Sequence, residues 1–280
     1  MARLTGFIAN RPDLGTRVAA FEQEALTTRK REDSPWGWGV GFFHSGEPLL
    51  KRRCLDDRRE LRLADMIADV RSDILVSHIR CATVGGHTTD NTHPFRYRQW
   101  MFAGTGTVDR FGALRDKLYD SLPSFLQRSV RGETDSELVF HLLLEALHEA
   151  GELDRPPGAP ETCAGALRSA LVRLERICAE VGADACKLNV LVATPEYLCA
   201  LRGASPMALR MLAGRADFEP LFAEHGPGQH RLPDLEPCRL CLVASDFDAG
   251  VPPGWSEVGP DEIVVFTRTE NPRRIAALPR

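Results

Sequence analysis

The chain has 280 residues, of which 43% are apolar and 26% charged, close to ordinary globular usage. Its 35 basic and 39 acidic side chains leave a net charge of −4, which disfavours nucleic-acid binding through a general basic surface. No apolar run reaches the ~18 residues needed to span a bilayer. The opening from Met1 to Phe7 lacks the apolar core of a signal peptide. A cytoplasmic protein away from membranes is expected.

The first predicted element is a strand from Arg3 to Ala9, broken around Pro12. Val18, Phe21, Ala25 and Leu26 recur at helical spacing and predict a helix over 15–30. Trp36 to Phe43 alternates large residues with glycine, the pattern of a strand whose one face accepts a very close neighbour. Ser45 and Gly46 predict a hairpin turn, and Pro48 to Arg53 returns as an edge strand. Ile74 to Ile79 reads as a central strand, and Trp100 to Ala103 as another. Thr134 to Glu137 has capping-box form, with Thr134 as N-cap and Glu137 reaching back. It opens a helix to about Ala150 with Leu138, Leu142 and Ala146 as its inward stripe, stopped by Gly151. A second helix, over 161–181, buries Leu167, Leu171, Leu174 and Ile177. Strands follow at Leu188 to Ala193, Tyr197 to Leu201, Leu240 to Ala244 and Ile263 to Phe266, with 204–237 irregular between them. Strands, then paired helices, then strands predict helices packed outside layered sheets.

The eight cysteines are scattered and read as packed thiols. Cys238 and Cys241 have metal-site spacing, but they open an apolar strand, so no zinc site is expected. His78, His87 and His93 read as structural hydrogen-bonding groups. The clusters Arg29-Lys30-Arg31 and Lys51-Arg52-Arg53 read as solvated faces. Neither a GxGxxG nor a Walker-type loop is present, and no cofactor is expected.

The densest chemistry lies in Ser77 to Gly85, followed by Asn91 to Phe95. A strand delivers Arg80 to its end, where a guanidinium can hold a carboxylate bidentately. Asp135 opens the capped helix, either to complement its dipole or to accept from a substrate ammonium. Arg80 and Asp135 together would hold an α-amino acid.

The ordered set resembles the class II glutamine amidotransferases, of the Ntn-hydrolase fold. It is most similar to their stand-alone branch, which includes the ergothioneine-pathway γ-glutamyl amidohydrolase. The resemblance is carried by Arg3 to Phe7, Trp36 to Gly41, Ser77 to Gly85, Asn91 to Phe95, Phe102-Ala103, Gly132 to Glu137, and Val243 to Asp246 with Trp255. It implies an α+β fold, a four-layer αββα sandwich, as a single domain over 1–280. It also implies an N-terminal cysteine, exposed by loss of the initiator methionine, that attacks the glutamine side-chain amide. Arg80 and Thr83 would line the α-carboxylate pocket, and Asp135 would bind the α-amino group. A His-Asn-Gly motif would supply the oxyanion hole.

The sequence departs from that pattern at two places. Ala2 stands where the family has its cysteine, and Gly104-Thr105-Gly106 stands for His-Asn-Gly. The Gly106 N–H is kept as a donor, while Thr105 replaces the asparagine. Cys81 is expected on the opposite strand face, and Thr5 has no terminal amine beside it. Amidohydrolase activity is therefore expected to be lost or severely impaired. The first reading is a degenerate member that recognises glutamine or a γ-glutamyl compound, as a sensor or as a subunit of a partner enzyme or homo-oligomer. The second is an active amidohydrolase whose native cysteine at position 2 has been changed to alanine. The third is a purely structural subunit, with Met207, Met211, Phe218 and Phe222 as its contact patch.

Overall fold

The computed structural model describes residues 2–30, 35–154, 158–223, 234–247 and 250–276. The first half contains β1 (Arg3–Ala9), α1 (Leu14–Phe21), α2 (Gln23–Leu26), β2 (Thr28–Arg29), β3 (Trp36–His44), β4 (Glu47–Asp56), β5 (Glu60–Leu61), α3 (Leu63–Met66), β6 (Ile74–Cys81), β7 (Phe95–Tyr97) and β8 (Trp100–Thr105). Four helices follow, α4 (Phe111–Ser121), α5 (Ser124–Gln127), α6 (Asp135–Glu149) and α7 (Pro160–Glu180). The last part contains β9 (Asn189–Ala193), β10 (Tyr197–Arg202), β11 (Met207–Ala213), α8 (Gly214–Ala223), β12 (Arg239–Ser245), β13 (Ser256–Glu257), β14 (Glu262–Thr267) and β15 (Arg273–Ala276).

Side-chain alternation along these strands builds the layers. In β1, Leu4 and Ile8 face one way, and Phe7 and Ala9 the other. Leu4 and Ile8 enter a core shared with Met101, Leu191 and Leu198, which joins a seven-stranded sheet (β13-β11-β12-β1-β6-β3-β4) to a six-stranded one (β15-β14-β10-β9-β8-β7). Phe7 packs outward under α1, α3 and α8. Phe102, Val192 and Val265 pack the outer face of the second sheet against α4, α6 and α7. The arrangement is the expected α+β sandwich of four layers, αββα, and every strand pairing in it is antiparallel. Among the described residues, no helix is long and apolar enough to cross a membrane.

The tryptophan–glycine alternation of β3 has a direct cause. Trp36, Trp38 and Val40 fill the helix-side core, so the intervening glycines lie on the opposite face of the strand. A methyl group on Gly39 would overlap the carbonyl oxygen of His93, and one on Gly41 would crowd Met101 and Pro94. Because the obstacle at Gly39 is backbone, no rotamer change relieves it. Gly39→Ala should lower the unfolding free energy by about 3 kcal/mol in a urea titration. A loss under about 0.5 kcal/mol, typical of surface changes, would show that the 91–95 segment moves away freely.

Three expectations need correction. The helix over 15–30 is two short helices and a strand. The chain turns extended at Thr27 (ψ 133) so that Thr28 can pair with Leu61, and this pairing overrides helical spacing. The irregular 204–237 region contains β11 and α8, and its remainder from 224 to 233 lies outside the described residues. β11 pairs with β12 along its whole length, whereas Pro220 inside α8 had disguised a helix. The contact patch is not a surface: Met207, Phe218 and Phe222 are buried, and only Met211 of the four is exposed, at 39%.

Candidate functional site

The site forms where four chain segments reach the same edge of the sandwich. β1 and β6 are antiparallel with Arg3 opposite Ile79, so one further step puts Ala2 beside Arg80. Ala2 shares the strand face of Leu4 and Ile8, between the sheets. Thr5 lies on the other face, and the side chain of Cys81 packs against the helix-side core although its residue borders the site. β8, in the second sheet, brings in Thr105 and then Gly106. Gly106 has φ +106, and a methyl group there would overlap the Lys187 carbonyl oxygen, so the turn requires glycine. The N-terminus of α6 brings in Asp135. Ala2, Arg80, Thr83, Thr105, Gly106 and Asp135 all line one cavity of about 240 Å3. Residues singled out over more than a hundred positions of sequence are thereby brought together.

The guanidinium of Arg80 is fixed by the loop that follows it. Nη1 donates to the Gly86 carbonyl (3.1 Å), and Nη2 to those of Val84 (2.8 Å) and Gly85 (3.2 Å). Asn91 holds this loop against the start of α6. Its amide donates to Gly86 O (3.0 Å), and its Oδ1 accepts from the Glu133 N–H (2.8 Å). Sequence reasoning placed Asn91 in a motif without a role; its 1% exposure and two-sided bonding make it the clamp between Arg80 and Asp135.

Asp135 accepts from the N–H groups of Val108 (2.8 Å) and Ser136 (2.8 Å). Burial pushes its carboxyl above the ordinary range, and these two donors act against that. Burial pulls Arg80 down, and the charge of Asp135 pulls it back up. Thr83 Oγ1 lies 3.1 Å from Thr107 Oγ1 at the exposed rim. Thr134 caps α6 by accepting from the Glu137 N–H (3.3 Å), as expected, but Glu137 does not reach back to it. The Glu137 carboxylate instead accepts from the N–H groups of Arg131 (2.8 Å) and Gly132 (2.7 Å), which present themselves earlier on the approaching chain.

The histidines differ most from expectation. His78 and His93 are buried with ring centroids 4.2 Å apart, and both line the cavity. His78 Nδ1 and both nitrogens of His93 have no hydrogen-bond partner, and neither does His87 Nδ1. The reading of these residues as hydrogen-bonded structural groups is therefore corrected. Their neighbours are strand faces and the Phe95 ring, 4.4 Å from His93, which offer few acceptors. Burial, then the Arg80 charge, holds His78 down at about 3. Burial, then the charges of His78, Arg80 and Arg52, holds His93 well below the ordinary histidine range. Thr105 Oγ1 is buried without a partner as well. The cavity thus joins a fixed cation and a carboxylate, a pattern that suits a small polar ligand.

The chain matches known proteins in sequence and in fold. The family model for class II glutamine amidotransferases matches residues 1–221. The probable glutamine amidotransferase DUG3 of Saccharomyces cerevisiae is 23% identical over 269 residues, covering 89% of this chain and 74% of that protein. A glutamine aminotransferase class-II domain protein of Silicibacter pomeroyi superposes with a TM-score of 0.60 at 18% identity, covering 99% of this chain and 100% of that one. A predicted glutamine amidotransferase of Pseudomonas aeruginosa gives a TM-score of 0.59 at 21% identity, covering 96% and 98%. At such identities the two structures bear on the fold alone. The family match extends over most of the chain and contains every segment of the cavity, and this protein belongs to the class II glutamine amidotransferases.

Proposed function

We propose that this protein binds glutamine, or a γ-glutamyl compound, by its α-carboxylate and α-ammonium groups without hydrolysing the amide. The observation that carries the reading is Ala2: it lines the same cavity as Arg80 and Asp135, and its methyl group has no nucleophilic atom. Arg80 supplies the positive charge for the carboxylate, with Thr83 at its rim, and Asp135 accepts from the ammonium. An ammonium ligand would also relieve the burial cost that Asp135 carries. The Gly106 N–H would be one oxyanion donor, but Thr105 has a shorter reach than the asparagine it replaces. Loss of a catalytic nucleophile costs about 10⁶ in turnover and loss of one oxyanion donor about 10²–10³. The first alone makes a working amidohydrolase untenable. Binding without turnover suits a sensor, or a recognition subunit of a partner enzyme.

The test is calorimetric titration with L-glutamine and with γ-glutamyl compounds. Asp135→Asn keeps the shape and removes the charge; it should weaken binding by about 30-fold or more, as expected when one partner of a buried charge pair is neutralised. Absence of heat at millimolar concentrations of every one of these ligands would sink the reading. The intact Arg80 and Asp135 also fit an active amidohydrolase whose native position 2 is cysteine. Thr105 argues against that second reading, because a change at position 2 leaves it unexplained.

A further inference from the structure

A second cavity, of about 630 Å3, shares no lining residue with the first. The 91–95 segment separates them: Arg52 at the second cavity donates to the Thr92 carbonyl (3.1 Å), and His93 lines the first. Four arginines border the second cavity, Arg52, Arg96, Arg98 and Arg131. Arg98 is paired with Asp154. Among the described residues, no carboxylate forms an ion pair with the other three. Their bonds go to neutral carbonyls, Arg52 to Thr92 and Arg96 to Pro48 (2.8 Å). Of the bordering carboxylates, Glu137 spends both oxygens on backbone N–H groups, and Asp90 and Glu47 are exposed.

Arg52 therefore departs from the solvated face expected of its cluster. It is half-buried; burial pulls its guanidinium down, and against that Asp90 pulls it up, Arg96 down and Glu137 up, in falling order. A dianion placed among the three guanidinium groups would offset the burial cost of Arg52 and its repulsion from Arg96. Their planar forks match the several oxygens of a phosphate better than the two of one carboxylate. The volume lies within the usual ~300–1,000 Å3 of small-molecule sites and exceeds what a bare phosphate fills. Tyr97 borders the remaining space.

We propose that this cavity binds a phosphorylated small molecule, with its phosphate held by Arg52, Arg96 and Arg131. The test uses the full chain and pyrophosphate as the probe, in calorimetry at constant ionic strength. Saturable binding is expected, weakened about tenfold or more in Arg96→Gln and in Arg131→Gln, the loss of one charge-assisted hydrogen bond. Both side chains are exposed, so these variants should keep the parent melting temperature, which is measured alongside. Absence of saturable binding at millimolar pyrophosphate overturns the proposal. So does the parent affinity kept in both variants, or succinate binding as tightly as pyrophosphate.

Discussion

Glutamate release from L-glutamine should stay at background for the protein as it stands, rise detectably on Ala2→Cys, and rise by a further 10²–10³ or so when Thr105→Asn is added. The argument starts at Ala2. Its neighbours Arg80 and Asp135 would hold the two charged ends of glutamine, so a thiol at position 2 would meet an oriented substrate once the initiator methionine is removed. Orientation accounts for a large part of any such acceleration. The second change addresses a different deficit. Attack on the amide carbonyl places negative charge on its oxygen, and Thr105 presents only a short hydroxyl whose oxygen finds no partner in the protein. An asparagine amide reaches further into the cavity, where the Gly106 N–H would be the second donor. Assay of the single and double variants separates the two deficits. If the double variant is no faster than Ala2→Cys, Thr105 does not stand in the place of an oxyanion donor. If the protein with Ala2 already releases glutamate, and Arg80→Ala abolishes it, another nucleophile works in this cavity and the proposed function fails.

Much of this was legible in the sequence, for reasons that differ between elements. β3 announced itself because its glycines are forced by the backbone of His93 and by Pro94, and a forced glycine leaves a mark in one dimension. The same holds for Gly106, where a positive φ and the Lys187 carbonyl leave no alternative. β11 was missed because Met207, Ala208 and Leu209 are buried on both of its faces, which hides the alternation, and α8 because of Pro220. The site was harder. Arg80 and Asp135 lie on different layers, and no local pattern relates them; only the ordered resemblance over the whole chain did. Asn91 was within reach as part of a quoted motif, but its function is to bond two loops at once, which no spacing reveals. His78 and His93 misled for a physical reason. Polar residues inside a protein usually find partners. Here both rings are buried against strand faces and the Phe95 ring, so the nitrogens are shut off from water and find no acceptor.

Those same histidines give the protein a pH-dependent stability of definite sign. His78 is held at about 3 when folded and His93 well below its ordinary value, in each case by burial first. In the unfolded chain both titrate near 6.5 or so. Below that value the unfolded chain binds protons that the folded protein refuses. Stability is therefore fully present above the ordinary histidine range and is lost as pH falls toward the depressed folded values, by about tenfold in the folding equilibrium per pH unit for each histidine. His141, also lowered by burial, acts in the same sense. Asp135, Glu137 and Glu145 are raised by burial and act in the opposite sense, but only from the carboxylate range upward. Urea denaturation at several pH values between about 5 and 7.5 reads the sum. His78→Gln and His93→Gln isolate the two contributions. Each variant should flatten the dependence below about pH 6 by close to tenfold per unit, whatever its effect on stability at neutral pH. Parallel curves for the parent and both variants would mean that the rings accept protons in the folded state. Arg80 and Arg52 would then face imidazolium ions at close range, and the pocket would carry more positive charge than the proposed recognition of a zwitterion can use.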